Sequence, residues 1–307
     1  MPALQIVRQK QINVPPEHMY DILSDLSQWP SWSPWLIAEP EATVTVHPTG
    51  KSYSWQGARV GEGHMKITSE ENPHRIALEL VFVKPWKSTA TVSMDIEPTA
   101  TGSMVTWSMA SRLPFFMFFM KKMMTAFIGN DYERGLNLLK DYAEDGEVHS
   151  KLGFTGRSAY PGCNYVGIKR SCTMGDMPTL MEADFTALIT ESMQHRNCRP
   201  QDAICIYHKW DMVRGTMSYT AGIPYDGDMP TIPSAQLSDS IPPTDVYTMT
   251  HTGPYHHLGN AWSTLYGMVR SKEIKARRGL YPFETYGNSP KDTMPRDLVT
   301  YVHFPVR

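Results

Sequence analysis

The sequence predicts an α+β protein built from two domains, and three observations indicate this. The chain has 307 residues, and a domain usually takes roughly 150 residues. Residues 41–111 read as consecutive short strands separated by turn residues, and a helical pattern follows over residues 114–143. The second half contains the order strand, helix, strand, strand twice, which indicates an internal repeat.

The first domain is predicted over residues 1–145. It opens with the strand LQIVRQKQINV and a helix that starts after two consecutive prolines. The run of short strands then predicts an antiparallel meander. Apolar residues recur every three or four positions from Phe116 to Leu139. This stripe predicts one long helix held by a curved sheet.

The segments INVPPEHMYDILSDLSQWPSWSPW and YERGLNLLKDYAE lie near the two ends of this half. With them, about residues 3–145 resemble the START-like polyketide cyclase family (SRPBCC). The resemblance implies a helix-grip fold with a hydrophobic cavity between the sheet and the long helix. Candidate lining residues are Trp55, Met65, Phe82 and Trp107. The same side chains would also serve as packed core, and the strand register decides between these interpretations.

Residues 146–160 are interpreted as a linker, because the segment is polar and glycine-rich and lacks helical or strand periodicity. The second domain covers residues 161–307. Its first repeat runs from NYVGIKRS to GTMSYTAGIPY, with a helix predicted over residues 177–196. Its second runs from DVYTMTHTGPY to DLVTYVHFPV, with a helix predicted over residues 256–276. Two such repeats would pair pseudo-symmetrically with a groove between them.

The segment PFETYGNSP, at residues 282–290, places the carboxylate of Glu284 in an otherwise apolar strand. An unpaired charge in such a setting costs free energy. Side chains alternate along a strand, so Glu284 and Tyr286 share one face. Tyr255 and Trp262, on or near the neighbouring helix, could stand beside that carboxylate. A carboxylate among aromatic faces suits a lipophilic cation, whereas spacing alone also allows a rim glutamate beside core aromatics.

The segment THTGPYHHLGNAWSTLYGMV followed by PFETYGNSP resembles the gyrase inhibitor-like (GyrI-like) effector-binding domain, over about residues 155–307. In that family the glutamate of the P-x-E-x-Y segment reaches into an aromatic cleft and contacts cationic ligands. The resemblance assigns this role to Glu284 and places Tyr255 and Trp262 in the cleft wall. Tyr286 and Tyr207 complete the predicted ligand-binding set. Tyr207 is interpreted as the equivalent of Glu284 in the first repeat.

Three functions remain open. The first is binding of a small hydrophobic or cationic ligand without chemistry. The second is hydrolysis of a small hydrophobic or electrophilic substrate, which the resemblance implies for some stand-alone relatives. In that case Glu284 and Tyr255 would be the catalytic residues, with Tyr286 or Tyr207 as alternatives to Tyr255. The third is a ligand-sensing adaptor for a transcription regulator. No helix-turn-helix segment is visible in the sequence, so direct contact with nucleic acid is not expected.

Composition excludes further classes. The net charge of −2 with scattered Lys and Arg does not predict nucleic-acid binding. The apolar run PFFMFFM, residues 114–120, is too short to span a bilayer, which needs about 20 residues. The four cysteines form no CxxC pair and indicate reduced thiols. Together these features predict a cytoplasmic protein.

Neither a metal nor a cofactor is predicted. The sequence contains no HExxH motif and no phosphate loop ending in GK[ST]. Four histidines near the last helix and strand are interpreted as helix-terminal or surface residues rather than ligands. They are His251, His256, His257 and His303.

Overall fold

A computed structural model of the chain describes residues 3–113 and 115–307, with the side chains of residues 115–117 left out. The chain divides into unit 1, residues 1–150, and unit 2, residues 151–307. Each unit has its own antiparallel sheet, helices and hydrophobic core, which confirms the predicted α+β fold. Within the described residues, no helix is both long and apolar enough to cross a membrane.

Unit 1 is a seven-stranded sheet with a long helix packed against it. The strand order is β1-β7-β6-β5-β4-β3-β2, so the meander closes with the first strand beside the last. The strands are β1 (Ala3–Ile12), β2 (Thr43–Val46), β3 (Ser52–Gly57), β4 (Gly61–Glu71), β5 (Arg75–Lys84), β6 (Ser88–Thr99) and β7 (Gly102–Arg112). The helices are α1 (Pro16–Leu23), the single-turn α2 (Trp29–Trp32) and α3 (Lys121–Asp145), which follows a 3-10 helix over Phe115–Met120.

The stripe on α3 packs as predicted, with Tyr132, Leu136 and Leu139 buried; the side chain of Phe116 lies outside the described part of the chain. Trp107 on β7 stacks on Tyr132 with ring centroids 4.1 Å apart. A Cβ at Gly135 would lie 2.7 Å from the Trp107 ring, so only glycine lets α3 approach this closely. Large aromatic side chains therefore occupy the space between helix and sheet.

Unit 2 is an eight-stranded sheet carrying two helices. The strand order is β12-β9-β11-β10-β14-β15-β13-β8. The strands are β8 (Lys151–Tyr160), β9 (Cys163–Thr173), β10 (Ile204–Asp211), β11 (Thr216–Tyr225), β12 (Leu237–Ile241), β13 (Thr244–Thr252), β14 (Phe283–Tyr286) and β15 (Val299–Pro305). The helices are α4 (Met177–Ser192) and α5 (Gly259–Arg270), with 3-10 turns at Pro200–Asp202, Tyr255–His257 and Pro295–Asp297.

The predicted repeat is visible in the strand order. Strands β9-β11-β10 on one side correspond to β13-β15-β14 on the other, and the two halves meet where β10 pairs with β14. The two halves pair their strands in the same way, β11 with β9 in the first and β15 with β13 in the second. Ala221 on β11 lies opposite Ile168, and Val302 on β15 lies opposite Met249. The repeat therefore builds one continuous sheet with a pseudo-twofold centre at the β10–β14 pair.

The predicted linker is wrong over residues 151–160, which form strand β8 on the edge of the unit 2 sheet. Leu152 and Phe154 are half-buried against the core while their neighbours are exposed. This is the alternation of an edge strand, and the glycines and polar residues between these side chains hide it in the sequence.

Both helices of unit 2 end earlier than predicted. Helix α4 stops at Ser192 and α5 at Arg270. After α5, Lys272 adopts a left-handed conformation with φ of 67°. The N–H of Glu273 then donates to the carbonyl of Met268 at 2.9 Å. This backbone geometry closes the last turn of α5 and redirects the chain.

Candidate functional site

Glu284 lies at the centre of the unit 2 sheet, on the short strand β14 between β10 and β15. Its side chain is only 1% exposed. Glu284 and Tyr286 contact each other on one face of β14, while Phe283 packs in a separate cluster on the other face. The strand alternation predicted from the sequence is therefore confirmed, and the carboxylate is buried rather than on a rim.

Three aromatic side chains donate hydrogen bonds to this carboxylate. The indole Nε1–H of Trp262 on α5 donates to Oε1 at 2.5 Å. The hydroxyl of Tyr207 on β10 donates to Oε2 at 2.8 Å, and the hydroxyl of Tyr286 donates to Oε2 at 3.2 Å. A helix and two strands from both repeats thus supply donors to one buried acid.

Burial raises the pKa of Glu284 to about 7, because the charged form loses its hydration. The hydrogen bonds from Trp262, Tyr207 and Tyr286 oppose this rise, since they favour the carboxylate. Among the residues that the structure describes, no Lys, Arg or His forms an ion pair with Glu284. The site therefore holds a buried acid with donors but without a positive charge.

Aromatic rings surround the carboxylate. Trp262 meets Tyr207 edge to face, with ring centroids 4.8 Å apart. Trp210 stacks on Tyr207 at 5.7 Å. Phe185 on α4 and Tyr255 approach the Tyr286 ring at 5.7 and 6.1 Å. The wall of the site thus comes from both helices and both repeats.

All five residues predicted for ligand binding come together here: Glu284, Tyr255, Trp262, Tyr286 and Tyr207. Tyr255 differs from the others, since its ring touches Tyr286 and no hydrogen bond from its hydroxyl to Glu284 is described. It is 41% exposed, whereas Trp262 and Tyr207 are buried. Burial raises the pKa of Tyr255, with a further contribution from the negative charge of Glu284. Tyr255 therefore marks the outer edge of the site.

One predicted correspondence is wrong. The register places Cys205, not Tyr207, at the position equivalent to Glu284, because Cys205 lies opposite Ala221 and Glu284 lies opposite Val302. Cys205 and Glu284 also face each other directly across the β10–β14 pair. Tyr207 reaches Glu284 from two residues further along β10, so it is a neighbour of the acid and not its counterpart.

A second buried acid, missed in the sequence, lies in the same core. Asp184 on α4 is 1% exposed and accepts hydrogen bonds from Arg170 Nε at 2.7 and 2.8 Å and from Arg170 Nη2 at 2.5 Å. The hydroxyl of Tyr219 donates to its Oδ2 at 2.9 Å. Asp184 therefore has a positive partner, in contrast to Glu284. Phe185 and Trp210 were also missed.

The four residues proposed to line a cavity in unit 1 lie in its packed core. Trp55, Met65 and Trp107 are buried, and Phe82 is half-buried against them. A gap nearby, bordered among others by Trp29, is too small to admit a water molecule. In this structure these side chains behave as core.

The histidines are only partly where the sequence suggested. His256 and His257 end the 3-10 helix Tyr255–His257, as the helix-terminal interpretation predicted, although His257 is buried. The prediction is wrong for His251, which is buried on strand β13. His303 on β15 contacts the hydroxyls of Thr248 and Thr285, each at 2.9 Å. Burial lowers the pKa of His251 and of His303 to about 4, because it disfavours the charged ring. All four cysteines are free.

Comparisons with known proteins agree with this division of the chain. Residues 3–144 match the family described as polyketide cyclase / dehydrase and lipid transport. Residues 160–307 match the GyrI-like small molecule binding domain. The chain is a fusion of these two domains. Unit 1 is its polyketide cyclase-like domain and unit 2 is its GyrI-like domain. No curated protein matches the chain.

Solved structures resemble parts of the chain at low identity. The EcmrR C-terminal domain is 16% identical, covering 52% of this chain and 98% of that one, with a TM-score of 0.40. SAV2435, solved with tetraphenylphosphonium bound, is 14% identical, covering 49% and 92%, with a TM-score of 0.38. Protein MLL2253 from Mesorhizobium loti is 13% identical, covering 47% and 99%, with a TM-score of 0.37. At this similarity they carry no conclusion about function.

Proposed function

We propose that the GyrI-like domain binds lipophilic cations, with Glu284 as the acidic anchor. The observation that carries this proposal is the buried carboxylate of Glu284, which has three aromatic donors and no ion pair among the described residues. The match to a small-molecule binding domain supports binding in general. The choice of a cation rests on the chemistry of the site.

A cation complements the chemistry of this site. A buried carboxylate is unfavourable until a positive charge or further donors compensate it. The contrast with Asp184 supports this reasoning, because that acid already has Arg170. Rings of Trp262, Tyr207 and Tyr286 around Glu284 provide faces for cation–π contacts. An apolar cation would thus be stabilised by charge at one point and by aromatic surface around it.

Binding requires the site to open. Glu284 is 1% exposed and hydrogen-bonded to Trp262, Tyr207 and Tyr286. A ligand that reaches the carboxylate displaces at least one of these donors. Tyr286 is the first to move in this proposal, since its hydrogen bond is the longest and its ring adjoins the exposed Tyr255. In this proposal, the hydrogen-bonded arrangement of Glu284 is the closed state of an aromatic pocket.

The proposal is confined to unit 2. A ligand in the polyketide cyclase-like domain is supported by the family match alone, since the candidate lining residues are packed together. The proposal includes no direct contact with nucleic acid, because the net charge is −2 and Lys and Arg are scattered along the chain.

Calorimetric titration with tetraphenylphosphonium and with rhodamine-type dyes tests the proposal. We expect the wild type to bind and the Glu284→Gln variant to lose about 1–3 kcal/mol of binding free energy, since the swap keeps the shape and removes the charge. Glu182→Gln, which changes an exposed carboxylate on α4, is the matched control and should bind normally. Triphenylphosphine oxide, a neutral ligand of similar shape, should bind more weakly than the phosphonium.

Unchanged affinity in Glu284→Gln would refute the anchor role. Absence of cation binding together with turnover of small ester substrates, lost in Glu284→Gln and in Tyr255→Phe, would instead support the hydrolase alternative. Binding that survives Glu284→Gln but is lost on truncation to unit 2 would place the ligand in the first domain.

A further inference from the structure

Unit 1 exposes a group of large apolar side chains that its core does not use. Phe118 and Phe119 are 60% and 70% exposed at the end of the 3-10 helix before α3. Met123 and Phe127, on the first turns of α3, are 38% and 47% exposed. Trp86, between β5 and β6, is 51% exposed. Groups of exposed large apolar side chains are typical of interaction surfaces.

The sheet register brings the two segments to one end of unit 1. Trp86 lies just before β6, which begins at Ser88. In the neighbouring strand β7, Ser111 pairs with Ala90 of β6 near the point where β7 ends. The chain therefore leaves the sheet toward the 3-10 helix at the same end at which Trp86 joins β5 to β6. Trp86, Phe118 and Phe119 belong to one end of the domain.

The two segments that meet at this end carry charge of one sign. Residues 84–88 and 112–130 contain five Lys or Arg and no Asp or Glu. Lys84 forms an ion pair with Glu62 at 2.8 Å. No ion pair is described for the other four, which are all exposed: Lys87, Arg112, Lys121 and Lys122. Exposed aromatic rings are thus flanked by positive charges that an anionic partner could neutralise.

We propose that this surface docks unit 1 on anionic lipid. We define the docking patch as Trp86, Phe118, Phe119, Lys121 and Lys122. Aromatic rings enter the boundary between head groups and acyl chains, while lysines beside them contact acidic head groups. Protein interfaces are depleted in Lys, so the mixture of Phe, Trp and Lys favours a lipid surface over a protein partner. The proposal is independent of the cation site in unit 2.

Vesicle sedimentation with the full-length chain tests this proposal. The probes are vesicles of equal parts phosphatidylcholine and phosphatidylglycerol, and vesicles of phosphatidylcholine alone. We expect binding to the first, weaker binding to the second, and loss of binding as salt shortens the Debye length to about 3 Å near 1 M. Lys121→Glu/Lys122→Glu should weaken binding by at least about 25-fold, because each surface lysine contributes about fivefold.

Matched variants separate the patch from general effects. Phe118→Ser/Phe119→Ser should abolish binding to both vesicle types. Met193→Ser, which changes a 71% exposed side chain in unit 2, should bind like the wild type. Lys66→Glu/Lys291→Glu removes two exposed lysines elsewhere and should cost much less than Lys121→Glu/Lys122→Glu.

Three results would overturn the proposal. The first is equal vesicle binding by the wild type and Phe118→Ser/Phe119→Ser, and the second is no vesicle binding by the wild type. The third is concentration-dependent dimerisation in sedimentation velocity that Phe118→Ser/Phe119→Ser abolishes, with no binding to vesicles. That third result would assign the patch to another copy of this chain. Circular dichroism of each variant confirms that a lost interaction is not lost folding.

Discussion

The two buried acids of the GyrI-like domain illustrate how much one partner matters. Asp184 and Glu284 are each 1% exposed and each accept a tyrosine hydrogen bond. Only Asp184 has an arginine partner, because Arg170 donates three short hydrogen bonds to its carboxylate. Glu284 instead accepts a hydrogen bond from the uncharged indole of Trp262, and burial raises the pKa of Glu284 to about 7. The difference between the two sites is one missing positive charge.

This pKa predicts a pH-dependent affinity. A permanent cation such as tetraphenylphosphonium favours the carboxylate form of Glu284. Because the pKa in the free protein is raised to about 7, protons compete with the cation below that value. We expect the affinity to fall by about tenfold per pH unit well below the pKa and to level off above it. Calorimetry at several pH values measures this dependence.

The Glu284→Gln variant is the control for this pH dependence, since it has no proton to lose and its weak affinity should not vary over the same range. A wild-type affinity that stays constant from about pH 5 to about pH 8 would show that the cation does not meet a titrating carboxylate of this pKa.

At the scale of elements, helix α3 is held in unit 1 by an aromatic contact rather than by aliphatic packing alone. Trp107 on β7 is 1% exposed, stacks on Tyr132 of α3, and meets Trp29 edge to face at 5.5 Å. Removing its ring would leave a cavity between sheet and helix. Trp107 is therefore central to the packing of this domain.

We predict that Trp107→Ala lowers the free energy of unfolding by about 3–5 kcal/mol, as expected for a buried aromatic residue. Trp86→Ala removes an equally large but exposed side chain and should change the free energy of unfolding by less than about 0.5 kcal/mol. Urea denaturation of the full chain, followed by circular dichroism, gives both values. Similar costs for the two variants would contradict the packing described here.

The sequence predicted elements with strong periodicity and missed those without it. The alternating strands of unit 1 and the stripe on α3 are set by local pattern, and all were found. Strand β8 was missed because glycines interrupt its alternation, and its pairing with β13 is set by a partner about 90 residues away. The sequence predicted that α5 continues to about residue 276, but the helix ends at Arg270. Lys272 then adopts a left-handed conformation, which is unusual for a residue other than glycine.

In the candidate site, too, the residues within local sequence motifs were predicted, and those placed by the pairing of the repeats were missed. Glu284, Tyr286, Trp262 and Tyr255 lie in two neighbouring motifs of the second repeat and were found together. Asp184, like Phe185 and Trp210, comes from the first repeat, so its place in the core depends on how the repeats pair. Tyr207 was included for the wrong reason, because only the observed register shows Cys205 opposite Glu284.

At the scale of the whole molecule, the boundary between the units lies at residues 150 and 151. Each unit has its own sheet and core. The position of β8 decides where the GyrI-like domain begins, since this strand covers the edge of β13. A domain started after β8 would expose that edge to water and to other chains.

We therefore predict that a fragment of residues 151–307 folds and binds cations like the full chain. A fragment of residues 161–307 should be less stable by at least about 2 kcal/mol, because it loses the packing of Leu152 and Phe154. Thermal denaturation and light scattering compare the two fragments. Equal midpoints and equal solubility would contradict the assignment of β8 to the domain.

The most direct test of the central proposal is a crystal structure of the chain with tetraphenylarsonium, whose arsenic is located by anomalous scattering. The proposal predicts one arsenic peak in unit 2 within about 6 Å of the aromatic ring centroids around Glu284, the range of cation–π contacts. It also predicts that Tyr286 has moved away from the carboxylate. An arsenic peak elsewhere, with Glu284 still bonded to Trp262, Tyr207 and Tyr286, would contradict the proposal.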